Sequence, residues 1–106
     1  MTYKALSLCA VLAVFAAGEA HAYPSCTQAP KRSPESSLPI TMTFKNISNE
    51  VLRLDWVDFN GDLKSYGMVG PGQTKRQPTY QGHVWQWTRL PGTCINRYVA
   101  GKDSVV

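Results

Sequence analysis

Hydrophobic and polar residues alternate along most of this chain, which is the pattern of half-buried β-strands. Residues 40–45 (ITMTFK) and 52–56 (LRLDW) show the alternation most clearly. Four further short strands are predicted between turn-forming residues, at 64–69, 73–79, 82–88 and 94–100. No stretch combines helical periodicity with helix caps. The sequence therefore predicts an all-β fold, a small β-sandwich of about six to seven strands.

Turn and edge signals refine this prediction. Asn60-Gly61 is the strongest short-range hairpin signal in the chain. Pro78 cannot donate to a strand ladder, so the strand at 73–79 is expected at a sheet edge or at a bulge. Asn46-Ile47-Ser48 matches the glycosylation sequon, but the composition of residues 46–50 (NISNE) favours a turn.

The N-terminus has the three parts of a secretory signal peptide. Lys4 provides a positive start, residues 5–18 form an apolar run, and Ala20-His21-Ala22 is a small-x-small cleavage pattern. We predict a signal over residues 1–22, cleaved before Tyr23. An uncleaved anchor is the alternative, but the run is shorter than the roughly 20 apolar residues of a membrane span. The protein is expected to be secreted or periplasmic, with no stable membrane insertion after cleavage.

After cleavage the chain is expected to contain an extended Pro/Ser-rich arm over residues 23–38, followed by one domain over residues 39–106. Cys9 would leave with the signal, so Cys26 and Cys94 would remain in an oxidising compartment. We predict that these two cysteines form a disulfide. In the chain-entropy model a bridge of that span stabilises the fold by roughly 4 kcal/mol. It would fasten the arm to the end of the domain.

Composition and spacing argue against several functional classes. The net charge of +4 is spread without a basic run longer than two residues, so no nucleic-acid partner is expected. No nucleophile elbow or phosphate-binding loop occurs, so an enzyme is not expected. If His21 leaves with the signal, His83 and two oxidised cysteines cannot form a metal site. Asp55, Asp58 and Asp62 lack the ligand spacing of a calcium loop. No metal and no cofactor are therefore expected.

Residues 80–87 (YQGHVWQW) concentrate aromatic side chains around one histidine. In an extended strand His83, Trp85 and Trp87 share one face, while Val84 and Gln86 share the other. The first explanation is an ordinary core strand, because aromatic strand residues are usually buried. The second is an aromatic-walled pocket with a polar base. The alternation alone does not choose between them.

At this point the chain resembles a known family. Residues 52–87 are similar to the β domain of the von Hippel–Lindau tumour suppressor. The shared pattern is W-x-x-F-x-G at 56–61, then Tyr66, then Pro-Gly at 71–72, then [ST]-Y-x-G-H-x-W at 79–85. It holds without a gap over about a third of the chain. The resemblance implies a β-sandwich, in agreement with the strand pattern.

The resemblance also implies a binding site for 4-hydroxyproline within an extended peptide. Trp56, Tyr66 and Trp85 would form aromatic walls around the proline ring. Thr79, where the family has serine, and His83 would hydrogen-bond the ring hydroxyl. The residues that would support this pocket are Phe59 and Tyr80. The partner would be an extended peptide or protein, possibly prolyl-hydroxylated, that pairs along a sheet edge.

The chain also departs from the family pattern. Gly67 follows Tyr66 where the family has proline, and Asp58 replaces an asparagine. The family's α domain is not expected in a chain that ends at Val106, so no ubiquitin-ligase scaffold is expected as a partner. Three functions are considered: a peptide-binding module; a structural or interaction domain that has lost hydroxyproline recognition; and a small secreted enzyme or inhibitor with His83 as base. The third lacks a nucleophile and an orienting carboxylate.

Overall fold

The computed structural model describes residues 21–22 and 25–101. The predicted signal peptide lies outside the described residues except for its last two positions, and so do residues 102–106 of the predicted domain. The strands, in chain order, are β1 (His21–Ala22), β2 (Pro39–Lys45), β3 (Leu52–Val57), β4 (Leu63–Val69), β5 (Thr74–Tyr80), β6 (Val84–Arg89) and β7 (Thr93–Val99).

The strands form two antiparallel sheets, and the predicted all-β sandwich is confirmed. The larger sheet has the order β1-β7-β6-β3-β4, and the smaller consists of β2 and β5. Among the described residues β5 pairs only with β2, so Pro78 lies on an edge strand as expected. β1 precedes the predicted cleavage bond, so a cleaved chain would keep the six long strands.

The hydrophobic core lies between the sheets and is organised around Phe44. Its ring lies 5.7 Å from Trp85 and 5.8 Å from Trp87, measured between ring centroids. Met42 and Leu54 are also fully buried. These are the apolar positions of the predicted alternation in β2, β3 and β6. Burial of each such side chain stabilises the fold by about 1.5–3 kcal/mol.

The other face of the larger sheet is also buried, which the alternation does not predict. Asp55 has no exposed surface, and its carboxylate accepts hydrogen bonds from Arg53 at 2.7 Å and from Thr88 at 2.6 Å. Gln86 donates to Thr88, and Arg97 donates to Gln86. This network gives both oxygen atoms of the buried carboxylate a hydrogen-bond partner.

The N-terminal arm, described from residue 25 to residue 38, contributes to this coverage. Cys26 is bonded to Cys94 of β7, which confirms the predicted disulfide. Pro30 accepts a hydrogen bond from Arg97 at 2.8 Å. Ser33 is buried and bridges β3 and β6. The arm is therefore bonded to the sheet well beyond Cys26, where the sequence analysis placed its main anchor.

The loop at residues 46–50 explains the sequon. Asn46 is 1% exposed, and its amide nitrogen donates to the backbone carbonyls of Glu50 and Val69. Its side-chain oxygen accepts from the backbone and the hydroxyl of Ser48. A buried amide with its hydrogen bonds satisfied stabilises the loop, so this asparagine has a structural role.

The loop between β3 and β4 shows what the neighbouring aspartates do. Asp58 uses one carboxylate oxygen to accept from the backbone N–H groups of Asn60 and Asp62. These bonds, led by the one from Asp62, lower the pKa of Asp58, and its burial opposes them. The predicted hairpin forms, and its loop spans residues 58–62 with Gly61 at a φ of 90°. The aspartate organises the loop as an Asx turn does.

Candidate functional site

A pocket of about 270 Å³ lies between the two sheets, near the ends of β3 and β5. All seven side chains that the family resemblance assigned to a hydroxyproline site line it, together with Pro78. The lining residues are Trp56, Phe59, Tyr66, Pro78, Thr79, Tyr80, His83 and Trp85. Its volume is close to the lower limit of small-molecule pockets, so it suits one ring or side chain.

Strand register brings the two tryptophans together. Trp56 of β3 and Trp85 of β6 are direct cross-strand partners. Side chains of such pairs start about 4.5–5.5 Å apart on the same face of the sheet. Both indoles therefore project toward the smaller sheet at this point.

A β-bulge accompanies the third aromatic wall. Arg53 pairs with Met68 and Asp55 pairs with Ser65, so Tyr66 and Gly67 both lie opposite a single residue of β3. Gly67 has a φ of 103°, which glycine adopts readily and proline cannot adopt. Bulges bend a strand and change the direction of its side chains. The Tyr66 ring lies 5.0 Å from Trp85. A proline, which the family resemblance leads one to expect here, could not adopt this backbone conformation.

His83 reaches the pocket from a turn and not from a strand. The sequence analysis began the fifth predicted strand at Gly82, but β6 begins at Val84. The backbone N–H of His83 donates to Tyr80 across this turn, which ends the pairing of β5. The imidazole stacks on Trp56, with centroids 5.5 Å apart and an interplanar angle of 28°.

The aromatic stretch at 80–87 serves both of the roles considered above. Trp87 packs edge-on against Phe44 in the core, outside the pocket. Trp85 contacts Phe44 on the core side and Tyr66 on the pocket side. Residues of this stretch therefore lie both in the core and in the lining of the pocket.

Burial divides the pocket into a floor and a rim. Thr79, His83 and Trp85 are each at most 6% exposed. The rim residues are more than 40% exposed; they are Phe59, Tyr66 and Tyr80. The polar groups thus lie at the bottom and the exposed aromatic rings surround the entrance, which is the usual arrangement of a site that selects one chemical group.

Some of the buried polar atoms at the floor of the pocket have a hydrogen-bond partner and others do not. The indole N–H of Trp85 donates to the Thr79 hydroxyl at 2.9 Å. Nε2 of His83 and Nε1 of Trp56 are buried and have no hydrogen-bond partner among the described residues. Buried polar atoms are rarely unpaired, because each one costs about 1–3 kcal/mol. Two such atoms in one pocket indicate a place where a ligand can bind.

The environment of His83 determines its protonation. Burial lowers the pKa of the imidazole, and a hydrogen bond to the backbone of Pro34 opposes this effect. The lowered pKa favours the neutral ring near pH 7, and a neutral imidazole has one nitrogen that can accept a hydrogen bond.

Sequence reasoning missed two contributors. Pro78 lines the pocket, although it was considered only as a strand breaker. The backbone of Pro34 lies near His83 and opposes the lowering of its pKa. Backbone contacts leave no signal in residue identity, and the arm's position depends on tertiary structure. Only a comparison that included the arm could have suggested a role for Pro34.

Residues 21–22 and 25–101 contain no cluster of three or more histidine, cysteine or acidic side chains that could hold a metal ion. Within the same ranges no helix is long and apolar enough to cross a membrane.

Comparison with known protein families agrees with this geometry. The family model of the VHL beta domain matches residues 31–90, more than half of the chain. The match includes the second half of the arm, the strands β2 to β6 and every residue that lines the pocket. Cys26 and Cys94 both lie outside it. On this evidence the chain belongs to the von Hippel–Lindau β domain family.

Proposed function

We propose that this domain binds an extended peptide by enclosing a 4-hydroxyproline ring in the pocket. The family is a substrate-recognition module rather than a catalytic one, which makes protein or peptide binding the expected activity. The observation that best supports the proposal is the arrangement of hydrogen-bond donors and acceptors at the pocket floor. It includes a donor and an acceptor for a ligand hydroxyl, and the unpaired Nε1 of Trp56 is a further donor in the same pocket.

The donor is the hydroxyl of Thr79. Because its oxygen accepts the indole N–H of Trp85, its own proton is available to a ligand. The acceptor is Nε2 of His83, which is buried without a partner among the described residues; the proposal requires the ring proton to be on Nδ1. A ligand hydroxyl between them would accept from Thr79 and donate to His83. The resulting series of hydrogen bonds would run from Trp85 through Thr79 and the ligand hydroxyl to His83. Both hydroxyl groups in the series would donate one bond and accept one.

The aromatic walls suit the ring that carries such a hydroxyl. Trp56, Tyr66 and Trp85 surround the space, with Tyr66 and Trp85 inclined at 75° to each other. The C–H bonds of a pyrrolidine ring beside an amide and a hydroxyl are electron-poor, so they pack well on the negative faces of aromatic rings. An unmodified proline would fill the same space but leave His83 and Thr79 without their ligand bonds. That loss corresponds to about 1–3 kcal/mol per group.

The peptide backbone has two open edges to pair with. Among the described residues β4 pairs only with β3 and β5 only with β2, so each has a free edge beside the pocket. Pairing along such an edge gives affinity through main-chain hydrogen bonds, and the pocket supplies selectivity. Pro78 has no N–H to offer, which limits the number of bonds that β5 can make.

We further propose that the protein acts outside the cytoplasm, as a secreted or periplasmic module. The N-terminal signal pattern and the Cys26–Cys94 bond support this location, since disulfides persist mainly in oxidising compartments. Hydroxyproline- or proline-containing extended proteins of that environment are the partners proposed. N-terminal sequencing of the exported protein would test this; a start at Tyr23 supports it, and purely cytoplasmic protein contradicts it.

Calorimetric titration tests the binding proposal with two peptides that differ only in the 4-hydroxyl of one proline. We expect the wild type to prefer the hydroxylated peptide by roughly tenfold to a hundredfold. Thr79→Val, which keeps the shape and removes the hydroxyl, should abolish the preference. Thr79→Ser is the matched control and should retain it. Equal affinity of the wild type for both peptides would refute the proposal.

A further inference from the structure

A second pocket, of about 350 Å³, lies at the opposite end of the smaller sheet from the first. The first pocket is lined by Tyr80, the last residue of β5, which pairs with Pro39 at the start of β2. The second pocket is lined by Lys45, the last residue of β2, and shares no residue with the first. Its volume is within the range of small-molecule sites. The proposed peptide site therefore uses only one of two separate cavities.

The unequal widths of the two sheets leave room for this second pocket. The smaller sheet has two strands and the larger has five, and Ile95 and Asn96 of β7 are only partly buried. Trp87 of β6 pairs with Asn96, whereas Thr88 pairs with Cys94, so Ile95 is an extra residue in β7. Such a bulge interrupts the alternation of side chains between the two faces. Both Ile95 and Asn96 line the pocket, although they are adjacent in the strand.

The walls of the second pocket are mainly apolar and partly aromatic. Trp87 and Tyr98 each pack edge-on against Phe44 in the core, with ring centroids 5.8 Å and 6.5 Å away. Their rings are therefore supported on the core side. Leu52 and Ile95 add aliphatic surface to the lining. An aromatic ring suits such walls, because edge-on and offset contacts between rings add to the gain from burying apolar surface.

Two polar groups of the lining lack a partner. Oδ1 of Asn96 is buried and accepts no hydrogen bond among the described residues, while the amide nitrogen donates to the Tyr98 hydroxyl at 3.2 Å. Only an N–H or O–H group can satisfy this oxygen. Arg89 is already paired with Glu50 at 3.0 Å, whereas Lys45 makes no ion pair within the described part of the chain. Lys45 is therefore the cation that is available to a ligand.

We propose that the second pocket binds a small aromatic carboxylate that carries a hydroxyl or N–H group on its ring. The ring would lie against Trp87 and Tyr98, and its donor would bond to Oδ1 of Asn96. The carboxylate would lie beside Lys45, which is exposed to solvent. The walls require the ring, the unpartnered oxygen requires the donor, and the lysine favours the negative charge. Binding is non-covalent and independent of the proposed peptide site.

Calorimetric titration with three matched probes tests these requirements. 4-Hydroxyphenylacetate has all three features, phenylacetate lacks the donor, and 2-(4-hydroxyphenyl)ethanol lacks the charge. Relative to the first probe, we expect phenylacetate to bind about tenfold more weakly and the alcohol about threefold more weakly. Equal affinity for all three probes, or no binding of the first, would overturn the proposal.

The indole N–H signals tell the two pockets apart. Trp87 lines only the second pocket, and Trp56 and Trp85 line only the first. In proton–nitrogen NMR spectra 4-hydroxyphenylacetate should change the chemical shift of the Trp87 indole most. If the Trp56 or Trp85 signal changes at least as much, or if no indole signal changes, the probe does not bind where the proposal requires.

Two substitutions separate the polar contacts. Asn96→Leu keeps the size of the side chain and removes its oxygen, so it should abolish the preference for 4-hydroxyphenylacetate over phenylacetate. Lys45→Gln should abolish the preference for 4-hydroxyphenylacetate over the alcohol. Lys31→Gln is the matched control, since Lys31 is exposed and lies outside both pockets, and it should keep both preferences.

A preference that persists in the corresponding variant would overturn the contact assigned to that residue. If Asn96→Leu does not fold, the comparison of probes in the wild type still decides whether a donor is recognised. Failure of the hydroxylated peptide to bind would leave this inference intact, because the peptide and the aromatic acid are assigned to different pockets.

Discussion

Replacing Ser33 by alanine tests the energetic role of the arm. The hydroxyl satisfies the carbonyl of Val57 and the N–H of Val84, and both valines are fully buried. Neither backbone group could reach water if the hydroxyl were removed. An unsatisfied buried group costs about 1–3 kcal/mol, so the pair should cost about 2–6 kcal/mol. That is a large part of the roughly 5–15 kcal/mol by which domains are stable.

Urea unfolding followed by tryptophan fluorescence measures this effect, with the disulfide intact. Ser37→Ala makes the same chemical change in the same arm, at an exposed residue with no side-chain hydrogen bond among the described residues. It should change the free energy of unfolding by no more than about 0.5 kcal/mol. If Ser33→Ala lies within that margin of Ser37→Ala, the arm does not stabilise the sheet as argued.

Three further predictions concern other positions. Gly61→Ala should destabilise the fold more than Gly67→Ala, and urea unfolding midpoints would measure the difference. Both glycines have a positive φ. A Cβ atom at Gly61 would lie 2.9 Å from the Lys31 carbonyl oxygen, whereas one at Gly67 would have no atom within 4 Å. Asn46→Ala should lower the free energy of unfolding by about 2–4 kcal/mol, because two backbone carbonyls lose their donor, and a loss under about 1 kcal/mol in the same assay would contradict this. Burial lowers the pKa of His83 below 6.5, so on acidification the unfolded chain binds a proton at this position before the folded protein does. The contribution of His83 to the free energy of unfolding should therefore be constant above pH 6.5 and decrease as the pH falls below it. His83→Asn should lack this part of the pH dependence of unfolding.

The strands could be predicted from the sequence because alternation reports directly on the buried face. Met42, Phe44 and Leu54 are apolar at every second position, and all three are core residues. Pro78 marked an edge strand for a local reason, its missing N–H. These signals depend only on neighbouring residues, so they do not require knowledge of the tertiary fold.

The pocket was predicted from the family resemblance, whereas its hydrogen-bond directions were not. The arm acts on the pKa of His83 through the backbone of Pro34, and any residue at position 34 has a backbone carbonyl. The burial of Asp55 is similar, since polar residues at alternate positions ordinarily indicate a solvent-facing surface. Here that surface is covered, and the carboxylate is paired with Arg53 and Thr88.

The most direct test of the account is NMR of the indole and imidazole nitrogens during titration with the hydroxylated peptide. We expect the chemical shifts of Trp85 Nε1 and His83 Nε2 to change as the peptide saturates the protein. The ligand hydroxyl would complete the series of hydrogen bonds that links these two nitrogens. The unmodified peptide should leave the His83 Nε2 signal largely unchanged. If the hydroxylated peptide binds while both nitrogen signals stay constant, it binds elsewhere and the pocket is not the recognition site.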